Sequence, residues 1–461
     1  MKRRIKYSIN SKQLYNSNCF SYLVFRNFMV YPLIIFHTME KYGKILLIIM
    51  PIFVSMILLE KLYGWYMKKE KINNLDTVSS LTSAITMITK NVLGLSITII
   101  SYKWIEERIA LTHIESTWLT YVIAFVVLDF SHYWIHRIEH ANNFFWNSHI
   151  VHHSSEEFDL ACAVRQPISS FVKLFSFFML PAALLGISPL VIATVTPIQF
   201  FAQFWYHTRY IKRMGILEHI IVTPSHHRVH HAINKEYLDK NLSQIFIIWD
   251  KLFGTFQEER KDIVPVYGIT RPVRTWNPIK INFSHMWLLI KDAWRAQHFH
   301  DKLLIWTKPT GWRPSDVEEK NPVYKIEDVY NFEKYHSKKS PLFISWIWFQ
   351  VFAIILITSY LLSHLAAIGS PMMFVYGGFI FLYVYALTDL MDGNSSFIFW
   401  EFLKLFYGII ILFSTGDWYG MNDIYPLSSK LMMCYFVASF FITLYLGTDE
   451  KKRIDLQPQI N

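Results

Sequence analysis

Twelve of the 19 histidines in this 461-residue chain fall in two short windows, six from His132 to His153 and six from His207 to His231. Neutral imidazole is the commonest side-chain ligand for a transition metal, and the spacing in both windows is helical. His132 and His136 stand four apart, so 3.6 residues per turn places them on one helix face. His149, His152 and His153 stand at i, i+3 and i+4, and His227, His230 and His231 repeat that pattern. Eight ring nitrogens exceed what one tetrahedral zinc uses and suit two transition ions, with positions left for dioxygen or water.

His207, in the run Phe204, Trp205, Tyr206, His207, is the candidate for a ninth ligand. His140, His219 and His226 fall off the repeated spacing and read as supporting or structural residues. Glu156, Glu157 and Asp159 follow the second cluster and are candidates to orient imidazoles by accepting their outer N–H bonds, or form a solvated acidic turn. Trp134, Phe144, Phe145 and Trp146 lie beside the ligands and read as interface packing, with an acyl tunnel as the alternative use.

Elements that present these residues are read from composition. The chain is 52% hydrophobic, 17% aromatic and only 17% charged, with mean hydropathy +0.23, which excludes a disordered chain and predicts a membrane protein. Its net charge of +10 faces anionic headgroups more naturally than nucleic acid, because the basic residues form no reading stripe. Cys19, Cys162 and Cys434 make no CxxC pair, so neither a disulfide framework nor a thiolate zinc site is expected. The basic start at residues 1–6 runs into polar sequence rather than an apolar core, so no cleavable signal is expected.

Apolar runs at 45–66, 78–100 and 116–132 are candidate spans, and 23–36, apolar but short, reads equally as an interfacial or re-entrant segment or as a span. Runs at 168–185 and 189–206, broken by Gly186, Ser188 and Pro189, predict a helical hairpin that returns the third cluster to the membrane face of the first two. Residues 207–340 turn polar, with short runs at 245–249 and 286–290 suited to the interface. Four further spans are expected at 342–366, 372–390, 397–413 and 431–446, which puts Lys451, Lys452 and Arg453 on the cap side. The expectation is an all-α integral membrane protein: a multi-span bundle with a di-metal site under a polar cap, and a C-terminal group of about four transmembrane helices. Its divisions are N-terminal segments 1–115, a catalytic core 116–272, a cap or linker 273–340 and a C-terminal bundle 341–461.

HxxxH, HxxHH and HxxHH, in this order around an apolar hairpin, resemble the membrane fatty acid hydroxylase and sterol desaturase superfamily. The strings around His132, His152 to Glu156, Arg165 and Gln166, Thr223 to His231, Asp239 to Asn241 and Ile248 to Phe256 are most similar to its glyceryl-ether-cleaving monooxygenases. That resemblance implies a non-haem site of two Fe ions that uses O2, with tetrahydrobiopterin as electron donor, to hydroxylate the ether-bearing carbon of alkylglycerol lipids. It implies the ligands His132, His136, His149, His152, His153, His227, His230 and His231. The implied partners are a lipid substrate entering from the bilayer and a system that regenerates the donor, with no nucleic acid. Arg165 and Gln166 become candidates to touch a headgroup or the pterin. The implied location is the endoplasmic reticulum in a eukaryote or the inner membrane in a bacterium.

Two alternatives stand beside this reading. The same site acting on a sterol or fatty acyl chain would use another electron donor, and a zinc-binding transporter or sensor would use the histidines without redox chemistry. Histidine-rich sites bind zinc and copper at least as well as iron, so spacing leaves the metal open. Transport predicts ionisable residues within several spans, whereas these ligands gather near one face.

Overall fold

The computed structural model describes residues 19–67, 73–95, 97–98, 101–170, 172–173, 178–335 and 338–455. The basic stretch 1–6 lies outside them. Eleven principal helices carry the fold: α1 (Cys19–Tyr66), α2 (Asn74–Val92), α3 (Trp118–Ala141), α4 (Asn143–His153), α5 (Pro189–Ala202), α6 (Pro224–His230), α7 (Pro278–Arg295), α8 (Pro341–Ile368), α9 (Met372–Met391), α10 (Phe397–Thr415) and α11 (Ser428–Asp455). Among the described residues, six helices are long and apolar enough to cross a membrane: Gly43–Tyr66 of α1, then α3, α8, α9, α10 and residues Ser428–Arg453 of α11. The chain is therefore an all-α multi-pass membrane protein. Its strand content among the described residues is one parallel pairing, Ile97 with Val172 and Thr98 with Lys173.

The four C-terminal spans form as the apolar runs predict, and their even number returns the chain to the cap. Glu450, near the end of α11, accepts from the Ser340 N–H at 3.2 Å, just before α8 begins. α8 packs along α1 and α2, so this bundle and the N-terminal helices share one apolar core.

Three expectations change. Residues 23–36 form no separate segment, because the α1 backbone runs through them unbroken. The run 78–100 becomes α2, a helix buried along most of its length but not apolar enough to count among the spans. Its hydroxyls bond back to the helix, Thr82 to the Val78 carbonyl and Thr89 to that of Ile85, both at 2.8 Å, so little polar surface reaches the surrounding side chains.

Among the described residues, only the second arm of the predicted hairpin is a long helix. In the first, Val172 and Lys173 are extended and Leu180–Leu184 is a five-residue helix. The Asn282 amide oxygen accepts from the N–H groups of Ile168 (2.7 Å) and Ser169 (3.0 Å), supplying partners that a helix would have supplied internally. α5 is the returning arm. Its 14 residues, with Pro197 inside, extend about 21 Å, short of the roughly 30 Å hydrocarbon core.

Candidate metal centre

α3 begins at a capping box made by Thr117 and Thr120 and ends at Ala141, about two and a half turns beyond the apolar run that announces it. Asn142 alone separates it from α4. Its side chain accepts from the Phe144 and Phe145 N–H groups, so a new helix starts at once and carries the second histidine cluster back over the end of α3. α5 delivers His207 five residues past its own end. α6, with Thr223 before it and Pro224 in its first turn, carries the third cluster.

The ring nitrogens converge in two adjoining groups: His136, His140, His149, His153 and His230 in one, and His152, His207, His227 and His231 in the other. Within each group the candidate ligand atoms lie within 4.8 Å of one another. His136 Nε2 approaches His149 Nε2 at 2.8 Å, and His207 Nε2 stands 2.8 Å from His227 Nε2 and 3.3 Å from His152 Nε2. The groups touch: the His153 and His231 rings stack at 4.4 Å between centroids.

Four of the outer nitrogens are held by hydrogen bonds. His136 Nδ1 donates to the Leu242 carbonyl (2.7 Å), His230 Nδ1 to that of Lys240 (3.1 Å) and His207 Nδ1 to that of Gln203 (2.9 Å). His140 Nδ1 donates to Asp239 (3.1 Å), and His149 Nδ1 lies 3.6 Å from Glu139. Such bonds fix tautomer and ring angle and turn Nε2 inward. Meanwhile the inward Nε2 atoms of His140, His153 and His230 are buried without a hydrogen-bond partner. Nitrogens left so inside a protein are costly unless something else satisfies them, and a metal ion fits that need.

Burial also sets the charge state. Desolvation, then the neighbouring imidazoles, hold His149, His153, His227, His230 and His231 well below the usual histidine range, and burial holds His207 and His152 there too, His152 at about 3. Neutral rings keep their lone pairs for coordination.

The structure gathers eight of the nine expected ligands and places His132 outside both groups. His132 sits one turn deeper along α3, where its ring faces Phe200 at 6.3 Å, and His140 takes its place in the cluster. A spacing of four fits His132 with His136 and His136 with His140 equally; the position of the helix end decides. His219 and His226 remain outside both groups.

The acidic residues after the second cluster orient no imidazole. Glu157 pairs with Arg209 and Lys334, Asp159 with Lys61, and Glu156 accepts from the Tyr335 N–H. Burial pushes the Glu156 carboxyl up to about 7. Arg165, 2% exposed, spends its guanidinium on Ser80, Ser154 and Asp76 (2.7 Å to the carboxylate), tying α2 to the end of the second cluster.

Sequence reasoning missed Asp239 as a partner of His140. The signal is the run Asp239, Lys240, Asn241. Asp239 and Asn241 both adopt positive φ, 55° and 53°, a conformation these two residue types tolerate best among those with side chains. The turn they make aims the Lys240 and Leu242 carbonyls at His230 and His136. Asp250 holds it by accepting from the Leu242 (2.7 Å) and Ser243 (2.8 Å) N–H groups. Asp129 of α3 grips the next segment through Ile245 N, Phe246 N and Trp249 Nε1, at 2.8–3.0 Å.

The family model for fatty acid hydroxylase matches residues 121–255, the stretch that carries all nine histidines of the two groups. The chain is 37% identical to an alkylglycerol monooxygenase of Homo sapiens over 282 residues, 60% of this chain and 62% of that protein. It is 32% identical to an alkylglycerol monooxygenase of Danio rerio over 368 residues, 78% of this chain and 80% of that protein. An ornithine lipid hydroxylase of Rhizobium tropici is 28% identical over 152 residues, 33% of this chain and 46% of that one. No solved structure matches the chain.

Proposed function

The chain belongs to the alkylglycerol monooxygenase family, and from that premise we propose that it is an O2-dependent membrane hydroxylase of alkylglycerol ether lipids, with two iron ions in the histidine groups and tetrahydrobiopterin as electron donor. The observation that carries the reading is the pair of adjoining groups of five and four imidazoles, all but His149 buried, gathered at the end of the α3 span. Iron so held, with dioxygen and electrons from the pterin, supplies the oxidising power that acid and base side chains lack for an unactivated C–H bond. Hydroxylation at the ether-bearing carbon gives a hemiacetal, which separates into a fatty aldehyde and a glycerol product.

The protein's own share is position and dryness. His136, His149, His140, His153 and His230 would hold one ion, and His152, His207, His227 and His231 the other. Leu242, Lys240, Gln203 and Asp239 keep the rings of His136, His230, His207 and His140 turned inward. Phe158, fully buried, packs on His207 at 5.9 Å and on His231 at 5.3 Å, and Trp146 covers His140 at 5.0 Å, so water is excluded beside the ligands. Because the site lies where α3 leaves the membrane, a lipid substrate reaches it from the bilayer. The proposed location is the endoplasmic reticulum of a eukaryote or the inner membrane of a bacterium.

Membranes containing the protein should convert a labelled 1-O-alkylglycerol to fatty aldehyde in an oxygen- and tetrahydrobiopterin-dependent reaction, lost in His153→Ala. Iron-loaded, folded protein that yields no product from this substrate would move the assignment to another lipid, and zinc at both groups in active membranes would overturn the metal.

A further inference from the structure

We propose that α7 is a membrane-surface helix, seated on the cap-side leaflet by an outward apolar face and by two basic side chains that meet anionic lipid headgroups. α7 has two unlike long faces. Ile281, Asn282, His285, Leu289 and Asp292 are buried against the histidine-bearing core. On the opposite side Trp287, Ile290 and Trp294 stand 59%, 43% and 85% exposed, at i, i+3 and i+7, and Phe299 (73%) and Leu303 (57%) extend the patch into the next turn of chain. A soluble surface does not align two tryptophans and an isoleucine along one helix face, with an exposed phenylalanine and leucine on the short helix that follows, without a partner.

Position names the partner. The start of α7 is tied to the end of the α9 span: Asp392 accepts from the Trp276 N–H at 2.7 Å, and Lys280 pairs with Asp389 at 2.7 Å. Further along, His285 Nε2 donates to the Asn143 carbonyl (3.1 Å), two residues past the end of the α3 span. Asn142 and Asn143 in turn hold the Thr307 and Lys308 carbonyls at 3.0 Å. A helix bridging the cap-side ends of two spans lies at the height of the headgroups. Its composition suits that height, since tryptophan prefers the membrane interface. Lys291 and Arg295 each follow an outward apolar residue by one position, about 100° around the helix, so both charges flank the apolar face on one side. Neither is in an ion pair among the described residues. This inference holds for any lipid substrate of the metal centre.

Full-length protein lacking Cys19 and Cys434, with Trp287→Cys, Trp294→Cys or, as a solvated control, Glu319→Cys, would be labelled with an environment-sensitive fluorophore. It would be reconstituted in phosphatidylcholine or phosphatidylcholine/phosphatidylserine nanodiscs. Labels at 287 and 294 should emit to the blue of the control, and shallow nitroxide lipids should quench them several-fold more strongly than aqueous iodide does. Lys291→Glu with Arg295→Glu should abolish any gain in that quenching between neutral and anionic nanodiscs. Iodide quenching equal to the control would overturn the proposal, and so would protection from both quenchers, the outcome expected if a second copy or another protein covers the face.

Discussion

At the scale of single residues, the exchange of His132 for His140 is the sharpest test of the site. Both lie one turn from His136 on α3, yet only His140 places its Nε2 among the other ligands. If the proposed centre is right, His140→Ala should lose bound metal and activity together. His132→Ala should keep its iron, with at most a modest loss of activity from altered packing against Phe200. Iron analysis of the two purified variants separates them, and equal metal loss in both would return His132 to the ligand set. Asp239 acts one step further out, through His140. Asparagine tolerates the same positive φ, so Asp239→Asn removes the charge and leaves the turn, and a second partner of this kind typically matters 10–100-fold in metal affinity or activity. Weaker iron retention on chelator titration is the expected result. The clusters were legible because coordination needs helical spacing, and helical spacing is written in residue numbers. Asp239 was not, since its contact crosses 99 positions of sequence.

At the scale of elements, the sequence announces apolar runs better than it announces what they become. Residues 168–185 are apolar enough for one helix, but Asn282, more than a hundred positions away, takes the Ile168 and Ser169 N–H groups, and Val172 and Lys173 pair with Ile97 and Thr98. Gly186, read as a break, is one in fact. Its φ is +66°, and a Cβ there would stand 1.7 Å from the Thr112 carbonyl oxygen. Gly186→Ala should therefore lower the yield of folded protein and the melting temperature, since backbone cannot yield as a side chain can. α7 adds a pH dependence. Burial lowers His285 from 6.5 to about 4 while its ring donates to Asn143. The unfolded chain thus binds the extra proton first, so stability is full above about pH 6.5 and falls as pH drops towards 4, by up to ~3 kcal/mol from this group. Thermal melts across that window should steepen with acid in the parent and less so in His285→Gln; identical slopes would remove His285 from the account.

At the scale of the whole molecule, the C-terminal bundle holds no histidine cluster, yet it governs the cap. Asp389 and Asp392, at the end of α9, anchor Trp276 and Lys280, so whatever fixes α9 fixes the platform on which α7 and the second cluster rest. Inside the bundle sits a buried pair on α10, Glu401 and Lys404, 2% and 1% exposed and 2.7 Å apart. Lys404 also donates to Ser439 of α11 (3.2 Å), Gln350 of α8 donates to the same hydroxyl (2.8 Å), and Tyr383 of α9 donates to the Gln350 carbonyl (3.0 Å). One polar network thus joins all four helices where lipid offers no alternative partner. Removing one charge strands the other in an apolar interior, typically at ~3–5 kcal/mol, whereas replacing both by side chains of similar shape is often neutral. Lys404→Met should therefore lower the melting temperature in detergent and, by loosening α9, lower hydroxylase activity, although no metal ligand is touched. Glu401→Gln combined with Lys404→Met should recover most of both. If the double variant is as impaired as the single one, the pair acts through its charges on something other than packing, and the C-terminal helices then take part in more than holding the cap.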